Sequence, residues 1–134
     1  MIAVIIYSLF LATSVEAQKA GHTYNIQLVA TKKNLQHMMA RKSSAIAVWT
    51  SSGESSQEFT LSDAGEGFFF IQAENGQVIE ARRNTEKSDV IIVLNNVNDM
   101  SSQKWEFIKD GNAYNLLSKS GIYLGVLQGP NTPG

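Results

Sequence analysis

Ser101-Ser102-Gln103-Lys104-Trp105-Glu106-Phe107 has a near copy upstream, Ser55-Ser56-Gln57-Glu58-Phe59-Thr60-Leu61. Both read Ser-Ser-Gln-x-aromatic, and each stands at the head of an apolar stretch. A motif that recurs inside so short a chain points to a fold assembled from similar units, so the flanks of the two copies were aligned outward from the glutamines. The glutamines are 46 residues apart. Upstream of them, Asn34-Leu35-Gln36-His37-Met38-Met39-Ala40-Arg41-Lys42 aligns with Asn75-Gly76-Gln77-Val78-Ile79-Glu80-Ala81-Arg82-Arg83 at an offset of 41. The second unit thus carries extra residues in the loop at 95–100. A third start, Gly121-Ile122-Tyr123-Leu124-Gly125-Val126, matches Gly76-Gln77-Val78-Ile79-Glu80-Ala81 at an offset of 45.

Each unit carries four strand signals. In the second, Phe68-Phe69-Phe70-Ile71-Gln72-Ala73 and Gln77-Val78-Ile79-Glu80-Ala81 flank Asn75-Gly76, a dipeptide suited to positive φ angles in a tight turn. Val90-Ile91-Ile92-Val93-Leu94 supplies a third strand and the Gln-x-aromatic segment a fourth. In the first unit, Tyr24-Asn25-Ile26-Gln27-Leu28-Val29 leads through Lys33-Asn34 into residues 35–40, then Ala45-Ile46-Ala47-Val48-Trp49. Leu35, Met38, Met39 and Ile46 also have roughly helical spacing, but the matched segment of the second unit has strand composition. Four-strand units of 40 to 45 residues fit a propeller blade or a trefoil lobe. A propeller needs at least about four blades, more than 134 residues hold. The expectation is an all-β chain: a β-trefoil with two complete four-strand lobes and a truncated third, its final Gln-x-aromatic falling past Gly134, as in a fragment of a longer product.

Composition agrees with one compact domain, at 43% hydrophobic and 17% charged residues. Residues 2–12 form an apolar run too short to span a bilayer, followed by Val15-Glu16-Ala17. This resembles a secretory signal peptide cleaved before Gln18, so residues 1–17 are set outside the fold and 18–134 form the domain, secreted and extracellular. The alternative, a buried N-terminal strand, has no counterpart in the repeat pattern. Without residues 1–17, acidic and basic side chains balance. A near-neutral surface argues against capture of nucleic acid, and no membrane insertion is expected after signal removal. The chain has no cysteine, so core packing alone must hold it together.

The run Asn75 to Ala81, then Val90 to Leu94, then Gln103-Lys104-Trp105 resembles the repeat of ricin B-type lectins, Gly-x-x-Leu-Asp-Val followed by an apolar strand and Gln-x-Trp. The resemblance covers residues 22–134. It implies that Gln57, Phe59, Gln103 and Trp105 are structural, the aromatics filling the core and the glutamines bracing the backbone. Burying such an aromatic removes roughly 150–250 Å² from water, which independently favours core anchors. The resemblance also implies a sugar site in each lobe: an acid on the second strand, a stacking aromatic ending the third, and an asparagine before the glutamine.

This chain departs from that set in every lobe. Unit one has Trp49 at the stacking place, but Met39 for the acid and Ser56 for the asparagine. Unit two has Glu80, with Leu94 and Ser102 in the other places, and unit three has Gly125 for the acid. Glu80, Trp49 and Asn96, the last from the loop holding Asn95, Asn98 and Asp99, are the candidate carbohydrate contacts. Against them stand plainer readings: a strand residue without ligand, a strand-end tryptophan packed on the next lobe, and a polar turn. His22 and His37 stand apart in sequence from carboxylates and suggest no metal or catalytic base. No catalytic residues and no cofactor are expected. Glycans or glycoconjugates are the expected partners; the alternative is a trefoil that has lost sugar binding and acts through its loops, for example as a protease inhibitor.

Overall fold

The computed structural model describes residues 4–8, 21–29, 31–40, 43–84 and 89–124. Among these residues lie ten strands: β1 (Val4–Ser8), β2 (Thr23–Leu28), β3 (Asn34–Ala40), β4 (Ser43–Trp49), β5 (Phe59–Gly65), β6 (Phe68–Gln72), β7 (Val78–Asn84), β8 (Asp89–Asn95), β9 (Trp105–Asp110) and β10 (Ala113–Ser118). Two single-turn 3-10 helices, Ser55–Gln57 and Ser101–Gln103, carry the repeated Ser-Ser-Gln. The helical spacing of residues 35–46 is overridden by strand pairing, from Asn34 opposite Trp49 to Ala40 opposite Ser43.

Six strands close into a ring. β1 pairs with β2 and β10, β10 with β9, β9 with β6, β6 with β5, and β5 returns to β2, all antiparallel. Closure removes the unpaired edges that an open sheet would present. Two hairpins, β3–β4 and β7–β8, hang from the ring by single register pairs, Gln27 with Asn34 and Gln72 with Val78. A third begins after β10, where Leu117 bridges Tyr123. Period-two alternation sends Ile26 and Leu28 of β2 and Phe59 and Leu61 of β5 inward. With Ile71, Trp105, Leu116 and Leu124 they form the core, whose apolar burial is the main stabilising term.

Pseudo-threefold order is visible in the register. Phe59 at the head of β5 stands opposite Tyr24, Trp105 at the head of β9 stands opposite Phe69, and Val4 at the head of β1 stands opposite Tyr114. β1 therefore occupies the place of the third lobe's closing strand. Val4–Ser8, set outside the fold with the rest of residues 1–17 on the sequence reading, is thereby one of the ring strands. The composition of Val4-Ile5-Ile6-Tyr7-Ser8 suits a strand as well as an apolar leader, and its partners lie in the first and third units. Gly125 and the residues after it lie outside the described residues.

The turns leading into the hairpins also repeat, and they correct the alignment of the first unit. Gly76 N–H donates to Ala73 O (3.0 Å) and Gly121 N–H to Ser118 O (2.8 Å), with φ of 89° and 92°. In the first unit Lys32, at φ 60°, donates to Leu28 O at 2.9 Å. Lys32 is thus the counterpart of Gly76, in a left-handed conformation that glycine adopts without strain and lysine does not. Asn34 corresponds to Val78 rather than Asn75, which shifts the offset on this strand from 41 to 44.

Candidate functional site

The corrected register places Gln36, not Met39, in the position of Glu80. Both residues are met by the glutamine of their own lobe. In lobe two, Gln103 Nε2 donates to Glu80 Oε1 (3.0 Å) and to Asn96 O (2.8 Å), while its Oε1 accepts from Asn98 N–H (2.9 Å). In lobe one, Gln57 Nε2 donates to Gln36 Oε1 (2.9 Å) and Thr50 O (2.8 Å), and its Oε1 accepts from Ser52 N–H and Asn34 Nδ2, both at 3.0 Å. Each glutamine is completely buried and ties the second strand of its lobe to the loop that ends the third. A buried amide satisfied in this way fixes geometry, because losing a partner strands polar atoms away from water.

The aromatic two residues later completes the brace. Trp105 is fully buried, and its Nε1 donates to Ile79 O at 2.9 Å, so β9 is pinned to β7 by packing and by a hydrogen bond. Phe59 is equally buried but has no donor to offer. The two Ser-Ser-Gln-x-aromatic segments are thus the mechanical corners of the hairpins.

Glu80 is a strut inside this corner. It is only 5% exposed, one oxygen bound by Gln103 and the other by Arg82 Nη2 at 2.9 Å. Arg82, two positions along β7, lies on the same strand face and covers the outer oxygen. Asn95 ends β8 where Trp49 ends β4, opposite Val78 and Asn34 respectively, so Asn95 rather than Leu94 holds the stacking place of lobe two. Leu94 is core. Asn96 is exposed, and its Oδ1 accepts from Gln77 Nε2 at 3.4 Å. Lobe two thus joins Glu80 and Asn96 through Gln103 but presents an arginine and asparagines, without a ring.

Lobe one differs. Trp49 is 56% exposed at the end of β4 and is not packed away on the next lobe. Its cross-strand partner is Asn34, and residues directly opposite share one face of an antiparallel pair, so Asn34 and Gln36 border the indole. Asn34 Nδ2 reaches Gln57 Oε1 at 3.0 Å and Ser51 Oγ at 3.4 Å, whereas Asn34 Oδ1 is buried without a partner. Ser56 is half-buried beside Gln57. An exposed ring bordered by amides and hydroxyls offers one apolar plane and several polar contacts, the arrangement a small polyhydroxylated ligand requires. Trp49 and Glu80 belong to different lobes. Asn34 and Gln36 escaped the sequence reading because the false match of Asn34 with Asn75 displaced them; the alternation of Leu35 and His37 with Asn34, Gln36 and Met38 carried the correct face.

The histidine expected to stand alone has a carboxylate partner. His37 Nδ1 lies 3.3 Å from Glu74 Oε1, and Ser55 Oγ donates to Glu74 Oε2 at 2.7 Å. Glu74 precedes Gly76 in the turn of lobe two, so this contact clasps the two lobes. The carboxylate lies between serine and histidine, an order that does not use histidine to take a proton from the hydroxyl. Among the described residues, no group of three or more His, Cys, Asp or Glu is placed to hold a metal ion.

No family model matches the sequence, and no curated protein matches it. Among solved structures, the crystal structure of a designed 3-fold symmetric protein, ThreeFoil, superposes with a TM-score of 0.70, covering 84% of this chain and 84% of that one at 21% identity. A closed six-stranded ring, hairpins hung from it and threefold register agree with that likeness: the chain has the β-trefoil fold.

Proposed function

We propose that this chain is a non-catalytic carbohydrate-binding trefoil that holds a terminal or short sugar unit at lobe one. The observation that carries the reading is the exposed Trp49 indole bordered by Asn34 and Gln36. In this reading the ring stacks on the apolar face of the sugar, while the half-buried Gln36 and Ser56 meet its hydroxyls and the buried Asn34 braces the corner beneath them. The resemblance to ricin B-type lectins supports the same use of a strand-end aromatic. Glu80 is recast as a brace, since both its oxygens are already engaged.

Stacking worth about 1 kcal/mol and two or three hydrogen bonds of about 1 kcal/mol each sum to a dissociation constant near the millimolar range. Glycoconjugates displaying many copies are therefore the effective partners. A glycan array probed with the multimerised protein tests the reading, and hits are titrated by tryptophan emission. Binding that shifts Trp49 emission supports it. An array without signal overturns it and leaves a trefoil that acts through its loops, for which a protease panel is the next experiment. Secretion and barrel closure place opposed demands on the N-terminus, because a chain cleaved after Ala17 has lost β1; the intact mass of the recovered protein shows which demand prevails.

A further inference from the structure

Of the three strands that close the lobes, β1 is held differently. β5 and β9 each follow a 3-10 turn whose buried glutamine braces the corner, and each begins with a fully buried aromatic. β1 begins with Val4, and the residue two before it is Ile2, so the bracing amide is missing from its sequence. β5 is joined to β6 by only Glu66 and Gly67, and β9 to β10 by only Gly111 and Asn112. β1 is joined to its antiparallel neighbour β2 by residues 9–22. A two-residue hairpin cannot carry its strand to a second copy unless the turn itself opens. A connection of fourteen residues reaches roughly 45 Å when extended, enough to enter another copy.

We propose that the slot between β2 and β10 is a strand-acceptor site whose occupant exchanges between molecules, Val4–Ser8 of a second copy pairing there in place of the chain's own β1. The reciprocal exchange gives a two-fold dimer in which every pairing of β1 is kept, from Val4 opposite Leu28 to Ser8 opposite Tyr24. Because the slot makes the same contacts in either state, the balance is set by concentration. The tethered strand has an effective concentration in the millimolar range, so the monomer dominates in dilute solution and the dimer accumulates during concentrated refolding. A net charge of −1 gives the copies no strong mutual repulsion.

The chain has no cysteine, and Ile5 and Gln27 are register partners across β1 and β2. Ile5→Cys and Gln27→Cys single variants are unfolded together, refolded at increasing concentration, oxidised, and their disulfides mapped by mass spectrometry. The proposal expects the disulfide joining the two different chains to exceed that of a control pair, Ile5→Cys with Ser62→Cys. At low conversion its yield rises about tenfold per tenfold rise in each chain's share during refolding. Sedimentation of the refolded wild-type chain then shows a dimer that Ile6→Pro abolishes. A mixed disulfide at the control level overturns the proposal, as does a wild-type chain monomeric throughout or a dimer that survives Ile6→Pro. The sedimentation arm decides the question by itself if the cysteine variants fail to refold.

Discussion

The two tryptophans give the most informative pair of perturbations. Trp105 is fully buried, heads β9, and donates its indole N–H to Ile79 O. Trp105→Ala removes a large buried aromatic, a change that costs about 3–5 kcal/mol when the cavity only partly collapses. Against a total stability of about 5–15 kcal/mol for a domain, that leaves a protein near its unfolding threshold. Trp105→Phe separates the two contributions: the ring is kept, lobe two takes the aromatic of lobe one, and the Ile79 carbonyl loses its indole donor, at a cost of about 1–3 kcal/mol. Trp49→Ala, at a solvent-facing strand end, should stay within about 0.5 kcal/mol of the parent. Urea unfolding followed by circular dichroism measures all three, with an unchanged denaturant slope confirming that the compactness of the end states is the same. A Trp105→Ala cost below about 1 kcal/mol, or a Trp49→Ala cost equal to it, would refute the assignment of corner anchor and exposed platform.

Gln103→Ala should destabilise more than Gln57→Ala, by about 1 kcal/mol, because Gln103 serves the carboxylate of Glu80 and bonds to charged groups are the stronger ones. Equal costs in urea would contradict a charge-assisted brace. Ile6→Pro removes a backbone donor from the middle of β1 and should open the barrel seam, with amide protection falling first in Ile26 and Tyr114. Unchanged exchange at those amides would show that β1 does not close the ring.

The units and the buried role of their Gln-x-aromatic residues were legible because period-two alternation and a repeated turn-plus-aromatic are local signals. Register in the first unit was not. Lys32 adopts the positive φ that sequence reasoning assigns to glycine or asparagine, so sequence reasoning puts the turn at Lys33-Asn34 and slides the strand by three residues. The slide put Met39 in a polar position that Gln36 holds, and hid Asn34 beside Trp49. Glu80 was visible as an acid on a strand, but its burial depends on Arg82 and Gln103 meeting it in three dimensions. The N-terminal strand was hidden for another reason: an apolar run before the first repeat has the composition of a leader, and its partners lie far along the chain, Ile26 opposite Ile6 and Tyr114 opposite Val4. The His37–Glu74 clasp between lobes is invisible to any reading of spacing within one unit.

The most direct test of the account is a side-by-side glycan array of the parent chain and Trp49→Ala, each shown by circular dichroism and urea unfolding to be equally folded. The account predicts sugar binding by the parent that falls at least about fivefold in Trp49→Ala, the loss expected from removing about 1 kcal/mol of stacking. Binding that persists undiminished in Trp49→Ala, or a parent chain that binds no glycan, would contradict it.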